Sequence, residues 1–563
     1  MSLTDNLVAQ EVRPPQGIYI APNDANDPYL VVAADKGTAR FSDDANDEAQ
    51  RAHYWLDDAF ASGGRDGYDH KVFGITARGA WTCAAHHCRQ RNQDAYQDAL
   101  SIVGIGDMGG DVFGNGMLIN PNIRLLAAFN HRHIFLDPNP HVEQAFAERK
   151  RLFHEVLGWD AYHSDCISDG GGVFERSAKN ILLSPEVQKV LNITSDALSG
   201  EALIQAMLQA PVDMLYNGGI GTYVKASNES HAQVQDPAND AVRIDAKQLA
   251  CVMVCEGGNL GFTQRARIEY AEQGGLIHTD AIDNAAGVNM SDHEVNVKIL
   301  LTHPHLKNMG LAKRNRLLHS MGEHISQQCL HDNQIQAEAL ALAHMDAQIH
   351  LPRLLNLRNT LLTSNRLDRR IDPGFNENEP LVLLPQLAVI LGHEKNRIHD
   401  ALDESDYGRW SLFSHAMLMR YFPPILQRRY EQEIQEHPLQ AGITHTQITN
   451  HIINHMGLVS IHHIQSLLTT PSIADICEAL LMTEQCLGLP AYREALKKST
   501  LSMQQQHVFQ LRVQEYTLHF AEELLRLFDM RACTRAWLKQ QQQGLQRFIR
   551  QLDHQASDDG MES

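Results

Sequence analysis

The spacing of apolar positions changes twice along the chain and divides it into three regions. Up to about residue 92, a strand-like run from Tyr29 to Ala34 enters the loop Asp35-Lys36-Gly37-Thr38, and two helix-like stretches follow, separated by the turn Ser62-Gly63-Gly64. From about residue 97 to 290, short apolar runs alternate with helical stretches and glycine-rich turns. The runs 99–103, 123–129, 212–216 and 252–255 read as buried strands of a parallel α/β sheet. Beyond about residue 292 the glycines thin out, and Leu354, Leu357 and Leu361 recur at helical spacing, so the remainder reads as mostly helical.

The sharpest local signal is Ala99-Leu-Ser-Ile-Val-Gly-Ile-Gly-Asp-Met-Gly-Gly, an apolar strand running into Gly104-x-Gly106-x-x-Gly109, with Asp107 and Met108 inside the turn. Glycine serves separate ends here. Gly104 permits the tight turn, Gly106 lets backbone approach a pyrophosphate, and Gly109 or Gly110 lets helix and strand pack closely. The following helix start offers free N–H groups to the anion. A second strand ending at Phe129 completes a dinucleotide-binding pattern. The residue after it, where a carboxylate would grip the adenosine ribose, is Asn130, followed by His131, Arg132 and His133. An amide can bond a ribose hydroxyl but does not repel a 2′-phosphate.

Composition narrows the setting. A chain of 563 residues exceeds one core. A formal charge of −20 repels nucleic acid and anionic lipid, so neither is an expected partner. Nine cysteines without paired spacing fit reduced thiols. The opening MSLTDNLVAQEVRPPQG carries charges and prolines where a signal peptide needs an apolar run, and no stretch nears the roughly 18 apolar residues of a membrane span. A cytoplasmic protein is expected.

The runs PYLVVAADKGTARFSD, DAFASGGRDGYDHKVFGITARGAW, VGIGDMGGDVFGNGML and HRHIFLDP, then APVDMLYNGGIGTYVKAS, VCEGGNLGFTQRARIEYA and IHTDAIDNAAGVNMSDHEVNVKILL, resemble the large bacterial NAD-specific glutamate dehydrogenases in the same order. The resemblance is dense over residues 27 to 302. It implies a Rossmann-like NAD-binding domain at 93–290, enlarged by insertions near 140 to 205. The end of an α/β substrate domain would lie at 1–92 and a helical C-terminal region at 291–563. It also implies a homo-oligomer acting on glutamate, 2-oxoglutarate and ammonia. Matched segment by segment, Asp35 stands where the family has its catalytic acid–base aspartate, with Val32 replacing the usual proline. Thr76 stands where a threonine meets the nicotinamide carboxamide. Asn259 and Asn284 lie beside the nicotinamide, and Ser291 reaches the substrate's γ-carboxylate.

The family's substrate-binding lysines precede its catalytic aspartate, whereas the first lysine here is Lys36. The expectation is therefore that the chain is a piece of a longer enzyme, or that another chain supplies those cations. Lys36 and Lys71 are possible substitutes, with solvated or ion-paired lysines the plainer reading. Cys83-Ala-Ala-His-His-Cys88 invites a metal, but no second ligand pair follows at a zinc-finger distance. An ordinary helix surface and no metal are expected. His451, His455, His462 and His463 read as solvated or capped helix residues, and no Gly-x-Ser-x-Gly elbow points to a hydrolase.

Overall fold

The computed structural model describes residues 4–8, 11–15, 17–18, 27–32, 39–368, 372, 374–375 and 382–544. The chain forms two compact units. The first is Met1–Ala337 with Leu383–Pro385 and Arg428–Pro438, and the second is Glu338–Val382, Gln386–Gln427 and Leu439–Ser563.

The first unit is built on a six-stranded sheet: β1 (Ser101–Ile105), β2 (Arg124–Phe129), β3 (His133–Leu136), β4 (Gly172–Glu175), β5 (Met214–Asn217) and β6 (Met253–Glu256). Their spatial order is β6-β5-β1-β2-β3-β4. The first four in that order run parallel, while β3 is antiparallel to both its neighbours. The apolar runs become strands because both sheet faces are covered. Val103, Ile105, Ala127, Phe129, Leu215 and Val254 enter one core cluster. Ile102, Leu125, Ala128, Met214, Tyr216, Met253 and Cys255 enter the other, following the two-residue period of a strand except in β2, where Leu126 and Ala127 both enter the first cluster at the shift in its register with β1. The β2–β3 hairpin breaks the strand–helix alternation. It forms because the Asn130 side-chain oxygen accepts the N–H groups of Arg132 and His133, both at 2.7 Å, closing a tight turn.

Six helices matter for the site: α1 (Ala39–Arg51), α2 (His70–Phe73), α3 (Ile75–Gln90), α4 (Asp111–Gly116), α5 (Val142–Glu155) and α6 (Ala285–Leu301). Helix α3 covers one sheet face with Ala80, Trp81, Ala84, Ala85 and Cys88. Its other side meets α6 at backbone distance. A methyl group on Gly79 would stand 2.7 Å from the Ala286 Cβ, and one on Gly287 would overlap the Thr76 hydroxyl. Farther along α6, the buried Glu294 carboxylate accepts the N–H groups of Gly63 at 3.0 Å and Tyr68 at 2.7 Å, and pairs with Lys298 at 2.8 Å. That pins the Ser62-Gly63-Gly64 turn to the helix.

Two expectations change. Residues 29–32 form no regular strand, and Val32 makes only an isolated parallel bridge to Ala61; Ala33 to Lys36 lie outside the described residues. Cys83, His86, His87 and Cys88 are not on a helix surface but buried: Cys83 lies against the Ile282 carbonyl and Asn333, His86 and His87 against the His278 ring, and Cys88 against Met253 of β6.

The second unit is helical, and among the described residues no strand follows position 291. Leu354, Leu357 and Leu361 are buried as their spacing requires. Ser472 and Ser502 open the helices Ile473–Leu487 and Met503–Leu527 with reciprocal capping boxes. His451 is not solvated: its Nε2 lies 2.6 Å from Glu484, and burial holds its pKa down at about 3.

Candidate active site

The carboxyl ends of β1, β5 and β6 face the start of α6, and polar groups collect there. After β1, Gly106 adopts φ +138, and a methyl on it would stand 2.7 Å from Phe113 of α4. A methyl on Gly104 would overlap the same ring. Both glycines therefore seat Phe113 against the strand, and Trp159 holds the turn by donating its indole N–H to the Gly106 carbonyl at 2.9 Å. Gly109 passes close to the Leu157 carbonyl. Met108 is fully buried in the core cluster beneath the turn.

The carboxylate of Asp107 closes the turn on itself. It accepts the N–H groups of Gly109 at 3.0 Å and Gly110 at 3.2 Å, and the Asn130 amide donates to its other oxygen at 3.2 Å. Asn130 is thus turned toward Asp107 and its own hairpin. Lys71 also reaches this turn. Its Nζ donates to the Gly109 carbonyl at 2.9 Å and stands 4.9 Å from the Phe153 ring centroid.

Beyond β6, the Asn284 amide donates to the Asn259 side-chain oxygen at 2.6 Å. Three buried contacts hold this pair. The Asp283 carboxylate accepts the Glu256 N–H at 2.9 Å and lies 3.1 Å from His278 Nδ1. Arg267 makes a bidentate pair with Glu256, at 2.7 and 3.0 Å. Asn217, fully buried at the end of β5, accepts the Gly258 N–H on its carbonyl at 2.8 Å and donates from its amide to the Gly258 carbonyl at 3.3 Å. Burial pushes the Glu256 carboxyl up to about 7, with the Arg267 charge pulling it down.

Thr76 is buried beneath Gly287, so α3 brings it against the same end of α6 as Asn284. Ser291 Oγ lies 3.2 Å from His70 Nε2 of α2. Asn284, Gly287 and Ser291 recur at three- and four-residue steps and share a helix face. Thr76 thus meets Gly287, Asn259 meets Asn284, and Ser291 follows one turn further along the same helix. Asp35 lies outside the described residues.

Asn217, Asp283, His278 and Arg267 were not singled out from the sequence. Asn217 follows a strand in a Tyr-Asn-Gly-Gly run and Asp283 precedes Asn284, so local signals existed for those two. The Glu256–Arg267 pair leaves no local signature. Cys83, His278 and Asp283 each bring one ligand-type atom within 4.8 Å of the others. Burial holds the Cys83 thiol well above its ordinary pKa, which keeps it protonated.

A mixed α/β protein with amide, hydroxyl and glycine groups gathered at the carboxyl ends of its parallel strands is the class these observations define. Residues 1–343 match the model of the bacterial NAD-glutamate dehydrogenase catalytic domain, and residues 381–558 match that of the glutamate dehydrogenase C-terminal region. The chain belongs to the bacterial NAD-glutamate dehydrogenase family. It is 44% identical over 511 residues to the NAD-specific glutamate dehydrogenase of Halomonas elongata, covering 88% of this chain and 31% of that protein. It is 43% identical over 500 residues to the one of Pseudomonas aeruginosa, covering 87% and 31%. Against the one of Mycobacterium tuberculosis it is 43% identical over 478 residues, covering 81% and 29%. The chain thus spans about a third of the length of these relatives. Among solved structures, the hetero-hexameric glutamate dehydrogenase of Thermus thermophilus overlays 56% of this chain and 59% of its own at 11% identity, with a TM-score of 0.33, a likeness too slight to bear on the fold.

Proposed function

We propose that this chain carries the cofactor side of an NAD-dependent glutamate dehydrogenase, which interconverts L-glutamate with 2-oxoglutarate and ammonia. The carrying observation is the 2.6 Å hydrogen bond between the Asn284 and Asn259 amides, beside Thr76 at the ends of the parallel strands. Uncharged amides at that position can fix a nicotinamide face without opposing its cationic form. The strand order and the Gly104–Gly109 turn support a Rossmann-like domain over 93–290, flanked by the end of a substrate domain at 1–92 and the helical region at 291–563.

The cofactor supplies the hydride acceptor, and the chain supplies orientation and proton traffic. Asp35 is the general acid–base that moves protons between water, amine and leaving ammonia. Thr76, Asn259 and Asn284 hold the carboxamide end. The backbone of Gly104, Gly106, Asp107, Met108 and Gly109 lies along the diphosphate, with Asn130 at the ribose. Ser291 receives the distal carboxylate. A cytoplasmic homo-oligomer is the proposed setting.

NADH oxidation by the purified chain with 2-oxoglutarate and ammonium, measured beside the quenching of protein fluorescence by NADH, tests this. Turnover establishes the enzyme. Binding without turnover leaves a cofactor-binding portion, and absence of binding overturns the reading.

A further inference from the structure

The glycine turn poses an electrostatic problem for its proposed ligand. Asp107 lies within the turn and Asp111 opens the helix that follows it, so two carboxylates stand where a diphosphate would bring further negative charge. The whole chain carries −20, which offers no general relief. Yet one ammonium reaches the turn. Lys71 comes from α2, outside the nucleotide-binding pattern, and its Nζ is fixed from two sides by the Gly109 carbonyl at 2.9 Å and the Phe153 ring at 4.9 Å. No carboxylate within ion-pair distance of Lys71 is found among the described residues, so its charge is not already spent on a protein anion.

The segment that delivers Lys71 is itself held. Asp69 caps the N–H groups of Lys71 and Val72 at 2.9 and 3.1 Å, and the Asn115 side chain of α4 donates to the Lys71 carbonyl at 2.9 Å. Gly74, at φ +58, then turns the chain into α3, and a side chain there would press on Asn115 at about 2.9 Å. An ammonium anchored on the last glycine of the turn, with donors to spare, suits an anion laid along that turn.

We infer that Lys71 is a cofactor-binding residue that neutralises the diphosphate at the glycine turn, not a substitute for a substrate-binding lysine. The inference rests on the cofactor reading above and adds to it a residue that no glycine motif contains. Because His70, its neighbour on α2, lies against Ser291, the same four-residue helix touches both the cofactor turn and the proposed substrate end.

The test compares the unsubstituted chain with Lys71→Met, which keeps the stem over Phe153 and removes the charge, and with Lys71→Arg. Affinity for NADH, ADP-ribose and adenosine is measured by fluorescence titration and competition across a salt series. Loss of a charge-assisted contact weakens NADH and ADP-ribose alike by about tenfold or more in Lys71→Met, leaves adenosine unchanged, and flattens the salt dependence. Lys71→Arg stays within about threefold of the unsubstituted chain. A merely structural lysine would weaken adenosine equally and leave the salt slope alone, which overturns the inference. So does a Lys71→Met chain that binds ADP-ribose normally but loses affinity for 2-oxoglutarate. If the unsubstituted chain binds no NADH, the cofactor reading falls and this inference falls with it; binding by the unsubstituted chain with no change in Lys71→Met overturns this inference alone.

Discussion

Asn284, the residue that leads into α6, donates its side-chain amide to the Asn259 side-chain oxygen at 2.6 Å and so joins the turn after β6 to that helix. Each amide is oriented by the other, which leaves the Asn284 oxygen and the Asn259 amide N–H groups with a defined direction.

Replacing either member should therefore affect both. Asn284→Ala or Asn259→Ala is expected to lower kcat/KM for NADH by about 30- to 100-fold, or about 2–3 kcal/mol, and the double replacement by little more than one single. Steady-state kinetics on the three variants checks this, and strictly additive losses would refute the coupling.

The role proposed for Asp35 separates chemistry from binding. Asp35→Asn removes the proposed acid–base group and nothing proposed to touch the cofactor, so turnover should vanish while NADH quenches protein fluorescence nearly as before. Equal loss of both would sink the assignment.

Gly106 is constrained twice, by its φ of +138 and by the Phe113 ring against it. Gly106→Ala should cost about 1–3 kcal/mol of stability and abolish NADH binding, because the turn must open to admit the methyl. Urea denaturation and NADH titration on the same sample would show both effects. A stable variant with normal affinity would mean the turn is not the cofactor's seat.

Acid should weaken the first unit through buried imidazoles. Burial holds His293 down at about 3 and His437 down at about 4, against an ordinary value near 6.5. With folded pKa values below the unfolded one, the unfolded chain takes up protons first. The contribution is fully present above about pH 6.5 and is lost as pH falls toward 4. At pH 5 each group opposes folding by about 2 kcal/mol. His437 lies 3.1 Å from the Asn296 carbonyl through Nε2, and His437→Gln keeps a donor without the titration. Its stability loss between pH 7 and 5 should be smaller than that of the unsubstituted chain by about 2 kcal/mol, read from urea denaturation at each pH.

What the sequence revealed divides by range. The strands and the glycine turn were readable because their signals are local: a run of apolar residues buried on both faces, and glycines where backbone must come close. Thr76, Asn259, Asn284 and Ser291 were singled out only through whole-motif resemblance, since a lone asparagine announces nothing. The β2–β3 hairpin was missed because one Asx turn at Asn130 replaces the expected helix. Lys71 read as a solvated or paired lysine because its partner, Gly109, lies 38 residues away. Glu294 shows the limit most clearly. Its bond to the Gly63 N–H spans 231 residues, and no pattern around either residue hints at it. The burial of Cys83 through Cys88 escaped for the same reason: it depends on Met253, His278 and Ile282, far along the chain.

The contact between α3 and α6 sets a bound on how this site can diverge. Gly79, Ala286, Gly287 and Thr76 let the two backbones meet with almost no side chain between them. The spacing between the helices is therefore not a quantity that point substitution can finely tune, since any added side chain there collides at once with the facing helix. Variation at this end of the unit therefore falls to groups that project beyond the contact, such as His70 and Ser291, rather than to the distance between the helices.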